Sequence, residues 1–175
     1  MLATLRKRLD SWWVILVFGA LYVASQATIA VIVHPLGADF LAVQTTLSVD
    51  HVREIFERWQ TAGLLGTYAA HYRFDMIHPL WYSTLLAALV AKGLEATRAP
   101  AARSLLLCVP FAAGACDVIE NLVHRSFLAD RANITQAAVW LGNGAALTKW
   151  SLVVFCLALI GLLALHSRRT AHAQA

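Results

Sequence analysis

Four polar residues inside an apolar stretch carry the strongest chemical signal. Asp117, Glu120, Asn121 and His124 are spaced i, i+3, i+4 and i+7, so a helix presents all four on one face. Pro110, Ala113 and Gly114 continue that face, and small residues there would let a neighbouring helix come close. Asp75, His78 and Tyr82 form a second set on one helical face. Lys149 sits in the middle of a further apolar run, too deep to snorkel easily to water. Charge inside a bilayer costs at least about 2.5–3.5 kcal/mol per residue on insertion scales, so these groups are expected to face the bundle interior and to find partners.

The types and spacing allow four kinds of chemistry. Lys149 can pair with an acid of a neighbouring helix, Asp117 being the deeper one, in an interhelical polar network that also holds Asp75, Tyr82, Glu120, Asn121 and His124. Replacing Lys149 and Asp117 together should then be tolerated better than replacing either. A divalent metal is the second possibility, with His78, Asp117, Glu120 and His124 as ligands, since zinc takes imidazole and carboxylate. The Glu-Asn-x-x-His run is not a His-Glu-x-x-His motif, so the spacing is not specific for metal. Thirdly, His78, Glu120 or Asp117 could serve as acid and base on a lipid or other apolar substrate, which calls for a cavity opening sideways beside His78 and Glu120. A small proton- or ion-coupled transporter is the fourth, and it calls for a continuous polar path to the opposite face.

The elements that must position these residues follow from composition. Of 175 residues, 59% are apolar and 14% charged, where soluble domains are about a quarter charged; the mean hydropathy is +0.63. These values exclude a disordered chain, a coiled coil and an ordinary soluble enzyme. Four apolar runs, about 12–33, 76–94, 104–125 and 137–165, predict an all-α bundle of four transmembrane helices in a single integral membrane domain over 1–175. The last run is long enough to tilt or protrude.

The charge is +4, but the basic residues are dispersed beside the runs, which suits membrane topology and not nucleic acid. Arg6, Lys7, Arg8, Lys92, Arg98, Arg103, Arg168 and Arg169 fall on one side of a four-span arrangement; Arg53, Arg58, Arg73, Arg125 and Arg131 fall on the other, with most of the acids. The positive-inside rule therefore places both termini in the cytoplasm, with lipids as partners. A cleaved signal peptide ending near Ala24–Ala27 is the alternative, although apolar residues continue to Val33. Asp75, His78 and Asp117 to His124 then gather near the outer leaflet, with His34 and Asn143 at similar depth.

The loop over 34–75 is the one sizeable soluble part. Ser48 is a natural N-cap for an amphipathic helix to about Thr61, with Val49, Val52, Phe56 and Trp59 on its apolar face, Glu54 able to pair with Arg58, and Gly63 as a stop. A second helical piece, 67–75, carries Tyr68, His71, Tyr72 and Asp75 on one stripe. The pair would lie on the bilayer surface, cap the bundle, or cover an outward-facing site. Cys108, Cys116 and Cys156 lie in apolar runs without metal spacing and read as buried small hydrophobes. No phosphate loop, Gly-x-Ser-x-Gly or Cys-x-x-Cys occurs.

Phe74-Asp75, His78-Pro79-Leu80-x-Tyr82, Asp117-Val-Ile-Glu120-Asn121 and Lys149-Trp150 together resemble a group of small bacterial four-span membrane proteins, over about 47–165. The resemblance implies the topology and the choice of residues, and no reaction. In architecture, and in a loop Trp preceding an Asp (here Trp59 and Asp75), the chain is also similar to the emopamil-binding-protein group, which includes a sterol isomerase; that likeness is an analogy of folds.

Overall fold

The computed structural model describes residues 1–172. Among the described residues every regular element is helical: α1 (Leu2–Leu9), α2 (Trp12–Val33), α3 (Asp39–Thr45), α4 (Val49–Thr61), α5 (Leu65–Asp75), α6 (His78–Ala96), α7 (Cys108–Ala129) and α8 (Gln136–His172), with 3-10 turns at His34–Leu36, Ala101–Leu107 and Arg131–Asn133. Three segments, Trp12–Leu36, Ala101–Ala129 and Gln136–Arg169, are each long and apolar enough to cross a membrane. The expected second span is different. It qualifies only when α5 and α6, bent by 44° at their junction, are taken together. The cause is local: Pro79 near the start of α6 has no N–H for the Asp75 carbonyl, and its ring would clash with that carbonyl, so the chain cannot run through as one straight helix.

Large apolar side chains cover the outside. Trp13 is 77% exposed, Val31 75% and Leu162 66%, a surface that water would not tolerate over such an area. Inside, α7 packs along α8, and α6 lies against α2, α7 and α8. Glycines permit the closest approaches. A Cβ on Gly93 would stand 2.8 Å from Leu163 Cβ, and one on Gly114 would meet Ser83 Oγ at 3.2 Å and the Pro79 carbonyl at 3.3 Å. The small-residue face of α7 thus receives α6, as its sequence suggests.

The two ends of the bundle are packed differently. At the α1 end, Leu9, Ala87, Val90, Leu94, Leu107 and Leu163 make an apolar core. Arg6 is buried there. Its Nη1 donates to the Ala99 carbonyl at 2.9 Å and its Nη2 to the Leu94 carbonyl at 2.8 Å, and Nε lies 2.7 Å from Glu95 Oε1. It thus adds a donor to the Leu94 carbonyl, which already accepts from Ala99 N at 2.9 Å, and ties the turn after α6 to α1. Lys92 pairs with Asp10 at 3.0 Å and lies over the Trp12 ring.

At the other end α3, α4 and α5 close over α7 and α8. Val43, Val52, Phe56, Trp59, Tyr68 and Phe127 share one core there, so the loop helices cap the bundle. Ser48 does cap α4, its Oγ accepting from His51 N at 3.3 Å. Gly63 ends the turn after α4 with φ +69°. Two local expectations need correction. Arg58 pairs with Asp39 of α3, through Nη2 at 2.8 Å and Nε at 3.0 Å, and not with Glu54, because α3 lies beside that face of α4. Of the cysteines only Cys156 is buried; Cys108 is exposed and Cys116 half-buried, because they sit on faces of α7 turned away from the core.

Candidate functional site

Lys149 is the centre of the polar cluster. α8 carries it between the faces of α6 and α7, and its Nζ donates to Asp117 Oδ1 at 2.9 Å and to Glu120 Oε2 at 2.5 Å. All three side chains are more than nine-tenths buried. The i, i+3 spacing of the two acids aims both at one ammonium, so the single counter-charge expected from Asp117 is a pair. Lys149 Nζ also stands 5.2 Å from the Trp150 ring centroid.

His124 and Asn121, from the same face of α7, have other tasks. Asn143 Nδ2 donates to the carbonyls of Val43 (2.7 Å) and Thr46 (2.5 Å), which leaves its Oδ1 to accept from His124 Nε2 at 2.7 Å. His124 Nδ1 in turn accepts from the Tyr68 hydroxyl at 2.7 Å. This chain ties α5, α7 and α8 to the end of α3, and both imidazole nitrogens are used in it. Asn121 Nδ2 donates to the Asp75 backbone carbonyl at 3.1 Å, at the bend between α5 and α6. One face of α7 thus carries an ion centre and, one to two turns further on, the fastening of the cap.

The α5–α6 set is arranged around a cavity. His78 Nδ1 shares a hydrogen bond of 2.7 Å with Ser25 Oγ of α2. His71 Nδ1 donates to the Tyr68 carbonyl, and its Nε2 lies 3.8 Å from Asp75 Oδ2. Tyr82 is 8% exposed, and its hydroxyl is buried with no hydrogen-bond partner of good geometry. Asp75, His78, Tyr82, Asp117 and Lys149 all line one cavity of about 310 Å³. Its other walls are Tyr22, Gln26 and Ile29 from α2, Phe40 and Gln44 from α3, and Trp150, Val153 and Leu157 from α8; Leu85, Leu86 and Leu89 of α6 complete the end towards α1. The lining therefore grades from polar under the cap to apolar in the middle of the bundle. α2 and α8 flank the cavity without packing closely on each other.

The expected site residues thus divide. Asp117, Glu120 and Lys149 meet; Asp75, His78, Tyr82 and Asp117 share a cavity; His124 is spent on the cap; and Glu120 lies behind the ion centre, outside the cavity lining. His34 is exposed and apart from them. His78, Asp117, Glu120 and His124 are not assembled as a ligand set: among the described residues no three His, Cys, Asp or Glu side chains are grouped so as to hold a metal ion.

Ser25, Gln26, Tyr22 and Trp150 belong to the site although the spacing of charged residues does not mark them. Ser25-Gln26 is a polar pair inside the apolar first run, and that interruption was the available signal. No family model, curated protein or solved structure matches this chain.

Proposed function

We propose that this is a bacterial inner-membrane protein of four spans, with the bent α5–α6 pair as one of them and both termini cytoplasmic, that binds an amphipathic molecule drawn from the surrounding bilayer. The observation that carries this reading is the graded cavity of about 310 Å³ between α2, α6 and α8. Its volume lies at the lower end of the range of small-molecule sites. The outer surfaces of α2 and α8 are apolar, so the gap between these two helices faces lipid. An amphiphile entering there keeps its tail against Leu85, Leu86, Leu89 and Leu157 and brings its head to Asp75, His78 and Tyr82. In this reading the Lys149–Asp117–Glu120 centre fixes the register of α7 and α8 and forms the floor of the polar end.

A second reading is favoured by one specific feature. His78 is held by Ser25 through Nδ1, which leaves Nε2 for other work, and Asp75 lines the same polar end. An imidazole and a carboxylate beside a bound head group are the parts that acid/base catalysis needs. The transporter reading has less support, because the apolar core of Leu94, Leu107 and Leu163 closes the bundle between the cavity and α1.

Photolabelling tests the binding reading. The protein in nanodiscs is exposed to a fatty alcohol bearing a diazirine in its tail, and labelled peptides are mapped by mass spectrometry. Labels are expected on Leu85–Leu89 and Val153–Leu157, and Leu86→Trp, which fills the cavity, should remove them. Labels confined to outward residues such as Leu16 and Leu162, unchanged by Leu86→Trp, would overturn the reading.

A further inference from the structure

The charges around the cavity specify its ligand further. Asp117 and Glu120 are buried and Asp75 is half-buried within one polar region, and Lys149 is the one ammonium among them. Lys149 is already shared by Asp117 and Glu120, at 2.9 and 2.5 Å. Asp75 is left with the uncharged Asn121 amide and with His71 Nε2 at 3.8 Å, beyond hydrogen-bond reach, and that ring is itself enclosed by Phe40, Tyr68 and Tyr72. A carboxylate whose side chain is only 14% exposed and has no close cation is costly in low dielectric. The Asp75 side chain is open to the cavity, so a group bound there can supply the missing charge.

Two independent features of the lining favour a cation. Tyr82 lines the cavity, and its buried hydroxyl, beside Asp117, makes no hydrogen bond of good geometry, so it can accept from an N–H donor. Tyr22, Phe40, Tyr82 and Trp150 contribute four aromatic rings to the walls, and aromatic faces attract ammonium groups, most strongly where water is excluded. An anionic head would instead meet Asp75 and Asp117, with the only nearby ammonium occupied.

Resting on the binding reading above, we infer that the ligand is a cationic amphiphile: a single apolar tail carrying a protonated amine, without a phosphate or carboxylate, seated between Asp75, Tyr82 and the aromatic walls. Phospholipid heads do not fit this description, since their phosphate brings a negative charge to the acids.

Four probes of equal tail length decide the matter: dodecylamine, dodecyltrimethylammonium, dodecanol and dodecanoate, titrated into the purified full chain in a neutral detergent, with binding read by tryptophan fluorescence. The chain carries +4, so attraction to the whole molecule would favour dodecanoate, and a preference for the amine has to come from the site. Dodecylamine is expected to bind about tenfold or more tightly than dodecanol, a difference of about 1.4 kcal/mol. Dodecyltrimethylammonium, which has no N–H for Tyr82, should fall between them, and dodecanoate should be weakest. The order should persist at 0.5 M salt, which screens surface charge far more than buried charge. In Asp75→Asn the amine and the alcohol should bind within about threefold of each other.

Equal binding of dodecanol and dodecylamine by the wild type would overturn the cationic ligand while leaving an amphiphile site in place. An undiminished amine preference in Asp75→Asn would overturn it too, assigning the charge of Asp75 to His71. Failure of all four probes to bind would contradict the binding reading itself. The wild-type comparison stands even if Asp75→Asn fails to fold.

Discussion

Lys149 and its two acids are the residues whose alteration should be felt most. Removing one partner of a buried ion pair costs about 3–5 kcal/mol, because it strands the other's charge. Lys149→Met is therefore expected to lower the thermal midpoint in detergent by more than any single surface substitution. Since Nζ bonds both Asp117 and Glu120, Lys149→Met with Asp117→Asn should regain only part of the loss, and adding Glu120→Gln should regain most of it. A double variant as stable as the triple would show that Glu120 is not a true partner. The participation of Asp117 was legible in the sequence from its depth on run three. That of Glu120 was not, because spacing on α7 shows which residues share a face but not which of them the single ammonium of α8 can reach. His124 illustrates the same limit. It shares the face of Asp117 and Glu120, yet its bonds to Tyr68 and Asn143 assign it to the cap, and those partners come from elements whose packing no local pattern encodes.

Helices pack through a few close contacts, and two of these give tests. Gly93 brings α6 against α8 so closely that an added Cβ would lie 2.8 Å from Leu163 Cβ and 2.9 Å from its Cδ1. Gly93→Ala should cost about 1–3 kcal/mol as overpacking, read as a lower midpoint. Leu163→Ala should restore only part of it, since the Cβ contact remains. At the cap, the Arg58 guanidinium beside Asp39 holds that carboxyl below its usual 3.8, against the opposing effect of burial and with smaller help from His51. A lowered pKa in the folded state means that the pair's stabilisation is present above about pH 4 and is lost as the pH falls through the folded value. The gap in midpoint between wild type and Asp39→Asn should thus be small at pH 7, shrink further in salt and close as the pH falls through the folded value; a gap that widens in acid would contradict the pairing. The span of α2 and the N-cap at Ser48 were readable from hydropathy and capping preference alone. The partner of Arg58 was not, because the approach of α3 is a tertiary event, and neither was the 44° bend at Pro79, which a hydropathy window averages away.

For the whole molecule, the apolar exterior, the closed core at the α1 end and the capped opposite end surround an interior space graded from polar to apolar and flanked by α2 and α8. Composition pointed to the membrane, and the polar residues of α6, α7 and α8 pointed to the region under the cap. The cavity itself was beyond the sequence, since it depends on α2 and α8 standing apart. The binding reading is tested most directly by native mass spectrometry of wild type and Leu86→Trp, each released from detergent after incubation with dodecylamine and dodecanol. The expected result is one bound amphiphile per wild-type chain and none on a folded Leu86→Trp chain. Chains without any adduct, or adducts equal in number on both proteins, would contradict a binding site between α2, α6 and α8.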